Sequence, residues 1–256
     1  MMKTVKKGIL YVSGLMENLL RLHNHPGLFV FLFRALVHRL QAEKALRFLF
    51  AVERGIYPLL GLKAVEYGGG IHPKHRHTRY HDFFLSRITP GQRVLDIGCG
   101  SGILAYEIAE ASQAQVTAID LDEENIRTAR RLYNHHRLQF IHGDVRETIP
   151  EGDFDVVVLS NVLEHLGDRV NFLRMIIDQT SAPRLLIRVP CYERDWRVPL
   201  MDELGLDSRL DPTHEIEYRQ DVFQEELRAA NLTVRQAEYK WGEIWCEAVR
   251  EGTDMS

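Results

Sequence analysis

From residue 71 onward, two kinds of apolar pattern alternate along the chain. Short runs at 93–97, 115–119, 138–142, 154–160 and 184–189 read as strands. Between them, 103–112, 123–132 and 170–179 carry the three- and four-residue spacing of helices. Asp122 stands where a capping carboxylate belongs, ahead of the second of these helices. The run Val156-Val157-Val158-Leu159 is apolar at every position, as a strand covered by helices on both faces must be. A late helix at 221–230 precedes strands at 232–239 and 243–249, folded as a hairpin about Lys240-Trp241-Gly242. This pattern predicts a doubly wound α/β fold, with a seven-stranded, mostly parallel sheet and one antiparallel strand. In such a sheet the ligand crevice lies at the carboxyl ends of the strands.

Upstream the pattern is helical only. Asn24-His25-Pro26 reads as a helix start with Pro in the first turn, and Gly55 as its stop. Phe29, Leu32, Phe33, Leu36 and Leu40 fall on one stripe, and Arg34, His38 and Gln41 on the other. Such a helix packs on its own domain or a dimer partner, meets a membrane surface, or lids a substrate. Composition changes at Gly68-Gly69-Gly70, which predicts an N-terminal helical extension over 1–70 and a main domain over 71–256. The start of the chain (Lys3, Lys6, Lys7, then 8–16) faintly resembles a signal peptide, but Glu17 and Asn18 follow without a small-x-small cleavage site. The longest apolar run before a charge, 28–33, falls far short of the ~20 residues a spanning helix needs.

Charge sharpens this division. Residues 1–70 hold ten Lys/Arg against four Asp/Glu, a net of +6, and the remainder holds 22 against 32, a net of −10; together they give the −4 of the whole chain. An acidic main body argues against nucleic acid as a partner, which requires a basic footprint. The basic, apolar N-terminal part suits peripheral membrane contact or an apolar substrate. A 45% apolar and 27% charged composition over 256 residues excludes a disordered or collagen-like chain. Cys99, Cys191 and Cys246 are odd in number and far apart, so neither a disulfide framework nor a CxxC zinc site is encoded, and a cytoplasmic setting is expected.

The candidate chemistry begins at Asp96-Ile97-Gly98-Cys99-Gly100-Ser101-Gly102, which ends one strand and opens the next helix. Glycines allow a ligand to approach the backbone, and the helix start offers free N–H groups. Asp96 would repel a dinucleotide pyrophosphate but favour a cationic amino group, which points away from NAD. Further on stand Ala118-Ile119-Asp120, Gly143-Asp144, the segment from Phe154 through Asn161-Val162-Leu163-Glu164-His165-Leu166, and Thr213-His214. With these five matches, residues 76–249 resemble the class I S-adenosylmethionine-dependent methyltransferases, a Rossmann-like family, and especially the small-molecule branch that includes the ubiquinone-biosynthesis O-methyltransferases.

That resemblance implies S-adenosylmethionine as cofactor, held by Asp96, Gly98, Cys99, Gly100, Gly102, Asp120, Leu121, Asp144, Val145 and Asn161. Asp120 ends its strand at the crevice, 22 residues after Gly98, where a carboxylate can accept ribose hydroxyls. Asp144 would accept the adenine amino group with the Val145 backbone beside it, while Asp96 and the loop take the methionine end. An Asp after a strand is also an ordinary cap or turn residue, the reading preferred for Asp122.

Methyl transfer needs alignment of a nucleophile with the sulfonium and, for a hydroxyl, a base. His165, His214 and Glu164 are the candidate catalytic residues. In the resembling branch a Glu-x-x-Glu-His with a later Thr-His segment is associated with a divalent cation; here Asn161 replaces the first glutamate, so a metal is not expected. A second histidine group, His72, His75, His77 and His81 among Lys74, Arg76 and Arg79, reads as surface, as an entrance for an anionic group, or as metal ligands, with Tyr80 packing on the donor. The resulting expectation is a methyltransferase acting on a small-molecule acceptor, at oxygen. N- or C-methylation, a sugar or lipid acceptor, and a non-catalytic donor-binding protein are the alternatives. A homodimer also fits the N-terminal helices.

Overall fold

The computed structural model describes residues 26–150 and 152–252. The basic start with Lys3, Lys6 and Lys7, read above against a signal peptide, lies outside them. The chain divides into two compact units, 1–62 and 63–256.

In the first unit, α1 (Pro26–Val37) starts at the expected proline. The helix expected to run on to Gly55 is instead two helices. The Arg39 and Leu40 N–H groups reach back only three residues, to Leu36 and Val37, which closes the last turn tightly. Then α2 (Ala42–Tyr67), whose last five residues belong to the second unit, runs through Gly55 and Pro58. Glycine ends a helix where the backbone must turn left-handed; flanked by helix formers it costs only about 1 kcal/mol and is passed over. The stripe also divides. Phe33 stacks on Phe48 with ring centroids 5.5 Å apart, while Leu32 and Leu36 are exposed. Phe29, also on the expected stripe, lies outside the residues whose side chains are described. The glycine triplet ends α2: the N–H groups of Gly68, Gly69 and Gly70 bond the carbonyls of Ala64, Glu66 and Val65, with Gly69 and Gly70 at positive φ.

In the second unit two short helices, α3 (Lys74–Thr78) and α4 (Tyr80–Leu85), precede the sheet. There follow β1 (Arg93–Ile97), α5 (Ile103–Ser112), β2 (Gln115–Asp120), α6 (Glu123–Leu132), β3 (Leu138–His142), β4 (Val156–Ser160), α7 (Arg169–Thr180), β5 (Arg184–Pro190), α8 (Arg197–Glu203), α9 (Gln220–Ala229), β6 (Leu232–Lys240) and β7 (Glu243–Arg250). The seven strands lie in the order β3-β2-β1-β4-β5-β7-β6, parallel except for β7, which runs antiparallel to both β5 and β6. This is the predicted doubly wound, Rossmann-like sheet.

Alternation along each strand feeds two cores. Leu95, Ile97, Val157 and Leu159 point to one face with Phe172, Ile176 and Phe223; Val94, Val156 and Val158 point to the other with Phe84, Ile108 and Trp245. On β1 Asp96 is the polar residue, in register between Ala118 and Val158 and only 2% exposed. Burial on both sides explains why β4 is apolar from Val156 to Leu159. Among the described residues, no helix is long and apolar enough to cross a membrane.

Candidate active site

The glycine loop crosses the top of β1. Gly98, Gly100 and Gly102 all take positive φ, which side-chain-bearing residues rarely adopt. Two of them also sit where a side chain would collide. A Cβ on Gly98 would come within 2.7 Å of Val162, and one on Gly102 within 2.6 Å of the Phe140 ring. Gly102 thus packs α5 onto the sheet. Cys99 and Gly100 belong to the loop but not to the crevice wall, and burial pushes the Cys99 thiol pKa up.

Two carboxylates lie below this loop in different states. Asp120 accepts the Gly100 N–H at 2.7 Å on Oδ2, and the Asp122 N–H at 2.9 Å and Asn125 Nδ2 at 3.2 Å on Oδ1. Asp122 caps α6 through the Glu124 N–H, as expected. Asp96 instead keeps a buried Oδ2 with no partner, and burial next to Asp120 raises its pKa to about 8.

The crevice encloses about 420 Å³ at the carboxyl ends of β1, β2, β3 and β4. Of the predicted donor residues, Gly98, Asp120, Leu121, Asp144, Val145 and Asn161 line it, whereas Asp96, Cys99, Gly100 and Gly102 lie outside its wall. Asp144 departs from expectation: Arg146 clamps both of its oxygens at 2.6–3.1 Å, and the Arg146 N–H takes Oδ1 as well. That clamp holds the carboxyl below its usual range and leaves little acceptor capacity for an amino group. Sequence reasoning missed Arg146, Phe172 and Leu166 in the wall. Asn161 sits at φ 60 with its side-chain oxygen buried and unpartnered.

His165 lines the crevice; Glu164 and His214 lie behind it. One ligand atom from each of the three falls within 4.8 Å of the others, and the two imidazoles meet edge to face at 4.7 Å. Thr213 donates its hydroxyl to Asp211 and contacts His165 Nδ1 at 3.0 Å, so Nδ1 carries the His165 proton and Nε2 keeps its lone pair. Burial and His214 lower the His165 pKa, which keeps the ring neutral. His214 donates from Nδ1 to Glu217 at 2.9 Å, and Arg194 holds the other oxygen of Glu217. Glu164 is fully buried with both oxygens unpartnered, and burial raises its pKa to about 8.

The other histidine group forms a chain. Tyr80 Oη lies 3.0 Å from His75 Nδ1, His75 lies 3.4 Å from His81 Nε2, and His81 Nδ1 meets Glu107 at 2.6 Å. Burial lowers the His75 pKa to about 4, so this ring is neutral. A separate cavity of about 530 Å³ is lined by His72, His75, Arg76, Arg79 and His81. Tyr80 is buried under the Arg188 guanidinium, 3.8 Å above its ring.

Known proteins place the same features in context. The chain is 36% identical over 99 residues to the ribosomal protein L11 methyltransferase of Burkholderia mallei, which covers 39% of this chain and 32% of the relative. The chain therefore spans about a third of the length of the curated relatives it matches. In fold it is similar to the magnesium protoporphyrin IX methyltransferase of Synechocystis solved with S-adenosylhomocysteine (TM-score 0.53, 20% identity, 68% of this chain and 83% of that one). It is likewise similar to an S-adenosylmethionine-dependent methyltransferase from Mesorhizobium loti (TM-score 0.52, 15% identity, 63% and 92%). Residues 94–180, from β1 to the end of α7, match the family model described as methyltransferase domain.

Proposed function

We propose that this chain is an S-adenosylmethionine-dependent methyltransferase that acts at an oxygen of a small-molecule acceptor. The observation that carries this reading is the unpartnered, buried Oδ2 of Asp96 beneath the glycine loop. A carboxylate there is costly unless a cation joins it, and the donor's ammonium group is that cation. Asp120 has one acceptor position left on Oδ2 for a ribose hydroxyl. Gly98, Leu121, Val145 and Asn161 shape the remainder of the donor site. When bound, the donor supplies an electrophilic methyl on a sulfonium.

The chain's own residues then align the acceptor and remove its proton. The acceptor oxygen forms the new bond to the methyl carbon, the carbon–sulfur bond breaks, and the thioether product leaves. His165 takes the hydroxyl proton on Nε2, the only lone pair its contacts leave open. Thr213 and Asp211 hold the ring from behind; His214, fixed by Glu217 and Arg194, braces its face. A ligand atom of Glu164 lies within 4.8 Å of one on each ring; its carboxyl, held mostly neutral by burial at rest, ionises against the imidazolium that forms. His214 lies beyond the matched stretch of 94–180.

Calorimetric titration tests the donor assignment. S-adenosylhomocysteine is expected to bind and NAD not to; binding of NAD alone refutes the reading. His165→Ala should keep S-adenosylhomocysteine affinity while losing methyl transfer from labelled donor to a small-molecule extract.

A second reading assigns Glu164, His165 and His214 to a divalent cation, and Glu164's two unpartnered oxygens favour it. The set fits in type: two imidazoles and a carboxylate are a known catalytic combination for zinc. The cation would polarise a bound oxygen. Metal analysis of the purified protein, with transfer measured before and after chelation, separates the readings: full activity in metal-free protein excludes the cation.

A further inference from the structure

The first unit keeps little of its apolar surface inside. Ala45 and Phe50 are buried, but on α1 Phe31 is 66% exposed and Leu32 59%, and on α2 Leu59 is 59% and Leu60 62% exposed. Leu36 and Ile56 are exposed as well. Along α2, Leu49, Ile56 and Leu60 recur at spacings of seven and four, which places them on one stripe with Leu59 beside it. Arg47 and Arg54, also seven apart, run along a different face. Exposed apolar side chains in this number on two helices mark a surface that something covers.

Charge decides what covers it. Residues 1–62 hold nine Lys/Arg against three Asp/Glu, a net of +6, while 63–256 hold 23 against 33, a net of −10. Within 26–62, five Lys/Arg stand against two Asp/Glu, and a second copy of the same face would bring the same positive excess against it. An anionic lipid surface offers what neither water nor a second copy does, a hydrocarbon layer beneath negative headgroups. No described helix is long and apolar enough to span, so the helices lie along the interface.

We propose that α1 and α2 bind the surface of a bilayer containing anionic lipids. Phe31, Leu32, Leu36, Ile56, Leu59 and Leu60 enter below the headgroups. Arg34, Arg39 and Lys44 remain among the phosphates. Tyr57, 60% exposed, suits the boundary between the two layers.

Co-sedimentation of the full chain with vesicles tests this, using phosphatidylcholine alone and phosphatidylcholine mixed with phosphatidylglycerol. Binding to the mixed vesicles is expected to be at least about tenfold tighter at low salt and to weaken as salt rises. The double variant Leu59→Glu/Leu60→Glu alters exposed positions only and should lose about tenfold or more in affinity. Arg34→Glu/Arg39→Glu should remove the preference for anionic vesicles. Circular dichroism and S-adenosylhomocysteine titration on the same variants should remain as in the parent, which separates this test from the donor assignment. Equal binding to both vesicles refutes the proposal, as does full binding by the leucine double variant. A homodimer in sedimentation equilibrium that this variant dissociates would assign the face to a second copy instead.

Discussion

The proposed pairing of Asp96 with the donor's ammonium group would couple donor binding to a proton. In the protein without donor the Asp96 carboxyl titrates at about 8, because burial removes water from the charge and Asp120 repels it. An unfolded Asp titrates at about 3.9. The folded pKa is raised, so the unfolded chain releases a proton that the folded chain retains, and stability falls as pH rises between these values. At about 1.36 kcal/mol per pH unit, the loss reaches roughly 1.5 kcal/mol at pH 5 and roughly 4 kcal/mol at pH 7, both as upper bounds. Asp96→Asn removes the ionisable group at nearly constant shape. It is expected to stabilise the donor-free protein, by more at pH 7 than at pH 5, in denaturant melts. Donor binding should show the opposite effect. At pH 7 Asp96 is mostly protonated, and pairing with an ammonium group requires the carboxylate. Binding of S-adenosylhomocysteine should therefore release up to one proton, read as the slope of observed enthalpy against buffer ionisation enthalpy. In Asp96→Asn that slope should vanish and affinity should fall at least tenfold. A zero slope in the parent, or an unchanged slope in the variant, would overturn the assignment of Asp96 to the donor's amino group.

Other expectations follow from the same contacts. Asp120→Ala removes the acceptor for Gly100, Asp122 and Asn125 as well as the proposed acceptor for the ribose, and should weaken S-adenosylhomocysteine binding by about 2–4 kcal/mol in calorimetry. Gly102→Ala drives a Cβ into the Phe140 ring at φ 83 and should cost about 1–3 kcal/mol in denaturant unfolding. Arg188→Ala leaves Glu243 paired only with Trp245 Nε1 in a largely buried setting; a loss of about 3–5 kcal/mol in thermal melts is expected. A chain beginning at Lys63 should fold cooperatively and keep S-adenosylhomocysteine binding, since the second compact unit holds the whole crevice.

The sheet was legible because each strand solves a local problem in its own letters. The unbroken apolar run of β4 announces cover on both faces, Asp122 announces a cap, and the three glycines announce a tight approach of backbone to ligand. The site was legible only as far as residue type goes. Asp144 has the expected place, but Arg146, two residues on, occupies the carboxylate, and competition between neighbours for a lone pair has no periodic signature. Likewise Glu217 orients His214 from three residues away, and His81 finds Glu107 from 26 residues away. Such pairings depend on how loops and helices pack. The short helices α3 and α4, joined by Arg79 in a left-handed turn, carry too little spacing to be read at all.

The two carboxylates under the loop also differ in what their presence can testify to. Asp120 fastens the glycine loop to the second strand and the start of α6 before any donor arrives. A descendant that had abandoned methyl transfer would still need it to hold that corner together, so Asp120 is a marker of the fold. Asp96 fastens nothing on Oδ2 and weakens the empty protein at neutral pH. Only a cationic ligand gives a reason to keep it. Among proteins that share this loop, a carboxylate at the position of Asp96 is thus the better witness of a working donor site, and its replacement by a neutral side chain would be an early sign that the chemistry had been lost while the architecture remained.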